Sequence, residues 1–281
     1  MWLLRHFILK PEYQKVGIEF SLAEQQFGLL ILDVLLVALL GYWLNDWFDR
    51  EIDKINKPHR FLVLAPIKPT RFWLLISGIL IIILSLSIYL AKVTNHLIDL
   101  WVLPLAIFCV AFYAHQLKRF KPIGNVLVSL LIVGIMGLVL LSENIISGGD
   151  LQLSPLFHQN IWLYASLIFT LNLSREIVKD LEDIDGDRKM SVISLPSALG
   201  AKASRSIVIL LLGIAIVLEL FYAWSQMWQW TNMAVFGVIL LMLIVTILRL
   251  VKSNSIVDFR TTSTLLKWVM VFGVLQLAAL T

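Results

Sequence analysis

The sequence has 281 residues, of which 59% are hydrophobic and only 15% are Asp, Glu, Lys or Arg. Because soluble domains carry about one-quarter charged residues, this composition excludes an ordinary soluble protein and indicates an integral membrane protein. The net charge of +4 arises from basic residues in short loops between apolar segments, so nucleic acid is not expected as a partner.

Apolar segments of membrane-spanning length follow one another along the chain. A helix needs about 20 apolar residues to cross roughly 30 Å of hydrocarbon. The hydropathy pattern predicts eight such helices, at 27–44, 72–91, 97–113, 123–142, 161–174, 206–226, 231–248 and 263–281. We therefore expect an all-α, polytopic transmembrane helical bundle that forms a single domain over residues 1–281.

The connections between these segments differ in charge. Four of them, at 45–71, 114–122, 175–205 and 249–262, hold 18 of the 23 Lys and Arg residues. Membrane proteins concentrate these residues in cytoplasmic loops. The sequence therefore predicts a multi-pass protein of the cell membrane whose four basic loops, including any active-site loops among them, face the cytoplasm.

Two acidic runs lie at the cytoplasmic ends of predicted spans, and both have the same spacing. Their members are Asp46, Asp49 and Asp53 in the first run and Asp180, Asp183 and Asp187 in the second. Intervals of three and four residues put the carboxylates of each run on one face of a helix. Solvated helix ends would explain a single run, but two matching runs on one side of the membrane favour a shared ligand site.

Converging carboxylates repel one another unless cations lie between them. Mg²⁺ is the cation expected here, because proteins commonly hold it with one or two carboxylates together with substrate phosphates. A diphosphate beside an apolar bundle indicates a lipid diphosphate as substrate. Cationic side chains available for its phosphate oxygens are Arg50, Lys57, Arg60, Lys118, Arg119, Lys179 and Arg188.

These residues resemble the signatures of the UbiA superfamily of intramembrane prenyltransferases. The first signature, N-D-x2-D-x3-D followed by N-x-P-x-R, is matched at 45–53 and 56–60. The second acidic signature is similar to 180–187, and "SLPSALG" at 194–200 is similar to the segment that follows it in the family. A third match, "YAHQLK" at 113–118, is similar to the family's Tyr-Ser-x2-Leu-Lys.

The resemblance implies a fold with nine transmembrane helices around a central cavity. The eight predicted spans account for eight of them. The stretch "MWLLRHFIL" at residues 1–9 is too short to span a membrane, and by this comparison it is the end of a truncated first helix.

The resemblance also implies Mg²⁺-dependent transfer of a prenyl group from a prenyl diphosphate to a lipophilic acceptor, with membrane lipids as further partners. The resemblance implies two Mg²⁺ ions bridged by the diphosphate, one held by Asn45, Asp49 and Asp53 and the other by Asp180, Asp183 and Asp187, with Asp46 a weaker candidate. The implied catalytic residues are Asp49, Asp183 and Lys118. The implied substrate-binding residues are Lys57, Arg60, Tyr113, Lys118, Arg175 and Lys179.

The acceptor is indicated by residues 175–183, which look most like the digeranylgeranylglyceryl phosphate synthase branch of the family. That branch joins a geranylgeranyl group to geranylgeranylglyceryl phosphate. Arg175 and Lys179 could bind the acceptor phosphate, or they could balance nearby acidic side chains at a helix end. An aromatic acceptor from quinone or tetrapyrrole biosynthesis remains an alternative.

Two other function classes are weaker alternatives. A secondary transporter would place its acidic residues near the membrane midplane, whereas these runs lie at helix ends. A structural or assembly protein would not need the aspartates. Asp33 does lie within a span, but it precedes Asp49 by about 24 Å on an ideal helix, so we expect it to pair with another helix.

Overall fold

The computed structural model describes residues 1–50, 67–94, 99–117, 120–143, 154–189, 191–225, 230–253 and 255–278. Within these ranges the chain is helical apart from short connections, and its only strand-like pairing is an isolated bridge between Phe120 and Ile193. The N-terminal residues form a π-helical segment, Leu4–Leu9, that continues directly into α1 (Lys10–Val16). The all-α class predicted from the sequence is confirmed.

Further helices follow in chain order. They are α2 (Glu24–Phe48), α3 (Pro69–Thr94), α4 (Asp99–His115), α5 (Lys121–Ser142), α6 (Pro155–Glu182), α7 (Ile184–Lys189), α8 (Leu195–Leu199), α9 (Ala201–Ser225), α10 (Trp230–Lys252) and α11 (Ile256–Ala278). Of these, α7 and α8 are short and connect α6 to α9.

Each of the eight predicted spans coincides with one of the long helices. In the part of the chain that the structure describes, six helices are long and apolar enough to cross a membrane, namely α2, α3, α5, α9, α10 and α11. The apolar part of α4, Trp101–His115, is shorter. Helix α6 is long, but it carries polar side chains along its length, and many of them are buried against neighbouring helices.

The helices pack in two groups that share α5. In the first group α2 packs against α3 and α4, and in the second α6 packs against α9 and α11, with α10 beside α9 and α11. Helix α5 contacts both α4 and α6. This arrangement brings the end of α4, the start of α5 and the end of α6 together, and the candidate site lies there.

Local sequence explains where several helices begin and end. Helix α6 begins at Pro155, and the Ser154 hydroxyl before it accepts a hydrogen bond from the Phe157 amide at 3.1 Å. Helix α1 ends at Gly17, whose φ of 71° lies in the left-handed region that glycine adopts without strain. These capping residues stop the chain from forming one continuous helix and set the entry points of the spans.

The N-terminal segment is held to the bundle by a buried arginine. Arg5 is fully buried, and its Nε lies 2.8 Å from Oε1 of Glu143, whose side chain is also fully buried at the end of α5. The guanidinium lies 4.2 Å from the ring centroid of Phe20 and 4.3 Å from that of Phe27. The segment thus packs as an ordered part of the fold rather than as a free tail.

Candidate active site

The first acidic run begins in the last turn of α2. Asn45 and Asp49 are one turn apart, and the Asn45 amide Nδ2 donates a hydrogen bond to Asp49 Oδ2 at 3.1 Å. Asp46 and Asp49 are both partly exposed. Asp46 and Asp49 lie within one turn of the helix end, as their spacing in the sequence predicts. The remaining predicted residues of this part of the site, Asp53, Lys57, Arg60 and Lys118, lie outside the described residues.

The second acidic run follows the end of α6 into α7. Asp180 and Asp187 are buried, with 4% and 1% of their surfaces exposed, whereas Asp183 between them is partly exposed. The Asp187 amide donates to the Asp183 carbonyl at 3.0 Å, so the helical path continues through the junction. Two carboxylates of this run therefore point into the protein, and one faces a more open space.

Lys121, the first residue of α5, lies between the two buried carboxylates. Its Nζ is 2.7 Å from Asp187 Oδ2 and 3.1 Å from Asp180 Oδ1. Burial raises the pKa of the Asp187 carboxyl, and the Lys121 ammonium acts in the opposite direction. The sequence shows Lys121 only as one of several basic loop residues, and its contact with the acidic run was not predicted.

Polar side chains on one face of α5, beginning at Lys121, contact polar side chains of α6. Asn125 Nδ2 donates to Asp180 Oδ2 at 2.7 Å, and Asn172 Nδ2 donates to Ser129 Oγ at 3.1 Å. Residues 121, 125 and 129 are four apart and so share one helix face. Polar residues at this spacing in an apolar span usually face a partner, and that pattern is the signal by which they could have been found.

Tyr113 near the end of α4 lies close enough to both runs to interact with them electrostatically. Its phenol interacts electrostatically with Glu176 and Asp180 on α6 and with Asp49 of the first run. The ring packs against Gly124, where an added Cβ would lie 2.6 Å from Tyr113 Cε2. Glycine at this position thus permits the close approach of α4 and α5, and both acidic runs lie near one tyrosine.

Arg175 and Lys179, predicted to contact the acceptor, both contact Glu176 in the structure. Arg175 Nη1 lies 3.0 Å from Glu176 Oε1, and Lys179 Nζ lies 2.7 Å from Glu176 Oε2. These contacts agree with the alternative that the two cations balance a nearby acidic residue. Their role toward a phosphate stays a prediction.

The oxygen atoms of this region suit Mg²⁺, which prefers carboxylate and amide oxygens. Asn45 and Asp49 supply such atoms side by side, whereas two carboxylates of the second run contact the Lys121 ammonium. Nowhere in the described ranges do three Asp, Glu, His or Cys side chains converge closely enough to hold a metal by themselves.

Two other acidic side chains within the spans, Asp33 and Glu219, have partners away from this site. Ser87 Oγ on α3 donates to Asp33 Oδ2 on α2 at 3.1 Å, as expected of a residue that pairs with another helix. Gln276 Nε2 on α11 donates to Glu219 Oε1 on α9 at 2.8 Å. These pairs join neighbouring helices and lie outside the acidic runs.

Comparison with known proteins agrees with this geometry. Residues 16–271 match the UbiA prenyltransferase family. Over 190 residues the chain is 33% identical to digeranylgeranylglyceryl phosphate synthase of Sulfolobus acidocaldarius. This alignment covers 68% of this chain and 63% of that protein. The chain thus spans less than two-thirds of the length of this relative.

Two solved structures have a similar fold. One, from work on digeranylgeranylglyceryl phosphate synthase in membranes, has a TM-score of 0.65 and 25% identity over 91% of this chain and 85% of that one. The other, an apo UbiA homologue from Aeropyrum pernix K1, has a TM-score of 0.68 and 17% identity over 90% of each chain, a likeness of fold alone. Since the family match extends over most of its length, the chain belongs to the UbiA prenyltransferase family.

Proposed function

We propose that this protein transfers a geranylgeranyl group from geranylgeranyl diphosphate to geranylgeranylglyceryl phosphate in a Mg²⁺-dependent reaction. The observation that carries the proposal is the approach of two acidic runs to Tyr113 at one end of an apolar bundle. Family membership supports the reaction type, and the relative's name supports the acceptor. The site would face the cytoplasm, because its loops are the basic ones.

The chain's own residues would hold the diphosphate and keep water away from the reacting carbon. Asn45, Asp49 and Asp183 would bind Mg²⁺, which when bound stabilises the negative charge that develops on the leaving diphosphate. Lys57, Arg60 and Lys118 would contact the phosphate oxygens directly. The bond between the prenyl C1 and the diphosphate oxygen breaks, the acceptor hydroxyl oxygen bonds to C1, and the hydroxyl proton is released.

The acceptor phosphate would bind beside Arg175 and Lys179, whose side chains are 20% and 37% exposed. Glu176 then has a defined role, since it holds both cations in place before the acceptor arrives. Arg175→Gln is expected to raise the KM for geranylgeranylglyceryl phosphate about tenfold with a small effect on the KM for the diphosphate, because a charged hydrogen bond contributes about 1.5–3 kcal/mol. Equal changes in both KM values would contradict this assignment.

The experiment that tests the function uses the full chain in lipid nanodiscs with radiolabelled geranylgeranyl diphosphate and Mg²⁺. The acceptors are geranylgeranylglyceryl phosphate, hydroxybenzoate, dihydroxynaphthoate and haem, with EDTA as the metal-removal control. We expect one ether-lipid product that EDTA abolishes. A product with an aromatic acceptor alone would replace this proposal by the aromatic branch, and no product with any acceptor would argue against prenyl transfer.

Gly124 offers a test of the geometry around Tyr113. Gly124→Ala is expected to lower kcat/KM by about tenfold to a hundredfold, because its Cβ must displace the Tyr113 ring near the two runs. The measurement is steady-state kinetics in nanodiscs. Gly134→Ala on the same helix is the matched control, since a Cβ there meets no atom within 4 Å. Equal kinetics for the two variants would show that the position of Tyr113 is unimportant.

A further inference from the structure

A cleft lies between the end of α10 and the start of α11. Its volume is about 270 Å³. The residues that line this α10 cleft are Val245, Leu248, Arg249, Lys252, Ser253 and Asp258. Residues 245, 248, 249 and 252 recur at intervals of three and four, so they share one face of α10. None of the lining residues belongs to either acidic run.

Hydrogen bonds fix the backbone around the α10 cleft. The carbonyl of buried Ser253 accepts a hydrogen bond from Arg205 Nη1 of α9, and Ser253 Oγ donates to the Arg249 carbonyl at 2.9 Å. On the α11 side, the Ser255 amide and hydroxyl donate to Asp258 Oδ2 at 2.9 and 2.8 Å. The Asp258 amide donates to Ser255 Oγ at 3.2 Å in return. This reciprocal cap gives Asp258 a structural role at the start of α11.

The α10 cleft combines positive charge with apolar surface. Arg249 and Lys252 contribute two positive charges, and Asp258 contributes one negative charge. Basic residues are common at the cytoplasmic ends of spans, and they also interact favourably with the carbonyl end of a helix. Neither effect requires a cavity. Here the two cations line one cavity together with Val245 and Leu248, which is the combination that suits an amphiphilic anion.

The depth of the α10 cleft matches that of a lipid head group. The membrane-spanning part of α10 ends at Lys252, and Val245 lies about 10 Å further along the helix axis at 1.5 Å per residue. The charged residues are therefore near the polar surface, and the apolar ones reach into the hydrocarbon. The cleft opens at the same end of the bundle as the second acidic run, because Arg260 Nε of α11 lies 2.9 Å from Glu182 Oε1 of α6.

We propose that the α10 cleft binds the phosphate of an anionic membrane phospholipid. Arg249 donates to the phosphate oxygens, since a guanidinium group presents paired N–H donors that match phosphate, and Lys252 adds a second positive charge. Val245 and Leu248 contact the start of the lipid chain. The cavity of about 270 Å³ is smaller than the roughly 300–1,000 Å³ of sites that enclose a whole drug-sized ligand, so the rest of the lipid stays in the bilayer.

Binding to the cytoplasmic leaflet explains the choice of an anionic lipid. The loops at this end of the bundle are the basic ones, and the cytoplasmic leaflet carries the negative surface charge that attracts Lys and Arg beside membrane helices. Basic pockets between such helices bind anionic head groups. The proposal does not depend on the proposed function, because no lining residue takes part in prenyl transfer.

The test measures binding of dioctanoyl phosphatidylglycerol to the purified full chain in detergent. Thermal unfolding at increasing lipid concentrations gives the apparent Kd, because a ligand of the folded state raises Tm. Dioctanoyl phosphatidylcholine, whose head group has no net charge, should bind about tenfold more weakly or less. Inorganic phosphate at the same concentrations should neither raise Tm nor displace the lipid. An equal Tm shift with phosphatidylcholine or with inorganic phosphate would overturn the proposal.

A pair of double variants assigns the binding to the α10 cleft. Arg249→Gln with Lys252→Gln should raise the Kd for phosphatidylglycerol about tenfold or more, because the charged hydrogen bonds to phosphate are lost. The matched control is Lys68→Gln with Arg71→Gln, which removes two exposed cations, also three residues apart, from the start of α3. The control should change the Kd about twofold or less. Equal losses would show that net charge alone attracts the lipid, and the proposal would fail.

Asp258→Asn tests the same site in the opposite direction. The substitution removes the negative charge of the lining and keeps a side-chain oxygen that can accept the hydrogen bonds from Ser255. The Kd for phosphatidylglycerol should fall about threefold, as expected when a nearby like charge is removed at an exposed position. Unchanged or weaker binding in a variant whose circular dichroism matches the wild-type chain would contradict a phosphate beside Arg249.

Discussion

Asp49→Asn and Asp183→Asn are each expected to lower kcat of prenyl transfer by about a thousandfold, because each removes a charged ligand of the proposed metal, whose charge stabilisation would contribute several kcal/mol. Both side chains are partly exposed, so the variants should fold like the wild-type chain. The measurement is radiolabelled product formation in nanodiscs, accompanied by thermal unfolding to confirm that the fold is unchanged.

Asp185 provides the matched control for these variants. It lies two residues after Asp183 in the same segment, but it is exposed and breaks the spacing of three and four that the run requires. Asp185→Asn should leave kcat within about twofold of the wild-type value, as surface substitutions usually do. Full activity in Asp49→Asn and Asp183→Asn would remove the basis of the metal site and favour a structural or assembly role.

Arg5→Met is expected to lower the free energy of unfolding by about 3–5 kcal/mol, the usual cost of leaving one partner of a buried ion pair uncompensated. Glu143 would keep a fully buried carboxylate, and the two aromatic rings around the guanidinium would lose their cation. The measurement is thermal or denaturant-induced unfolding in a mild detergent, followed by circular dichroism.

Two variants separate the ion pair from a general effect of mutating the N-terminal segment. The double variant Arg5→Met with Glu143→Gln should recover much of the lost stability, because neither charge is then buried alone. Lys15→Met breaks the exposed pair with Glu12 and should cost about 1 kcal/mol or less. If Arg5→Met were as mild as Lys15→Met, the buried pair would not anchor the segment.

Hydropathy was sufficient to locate the long helices because backbone groups in hydrocarbon must bond within their own segment. A long apolar stretch therefore predicts a helix without knowledge of its neighbours. Hydropathy alone identifies α6 less clearly as a membrane span. Its Asn172, Ser174 and Glu176 are buried by packing against other helices, and the average hydropathy of the stretch does not report that protection.

The acidic runs were visible in the sequence because their spacing is a property of single helices. The position of Lys121 was not visible in the same way. Its contact with Asp187 joins residues 66 positions apart, across the packing of α5 against the α6–α7 junction. The spacing of residues 121, 125 and 129 indicates a polar face on α5, but it does not say which acidic residues lie opposite.

Composition, span positions, helix spacing and the family signatures all depend on residues within a few turns of one another, so the order of amino acids was enough to establish them. The contact of Lys121 with Asp180 and Asp187, the proximity of Tyr113 to both runs and the burial of Arg5 against Glu143 depend on helices distant in the chain. Many weak packing contacts together determine which helix faces meet. A short sequence pattern does not contain enough information to predict that outcome.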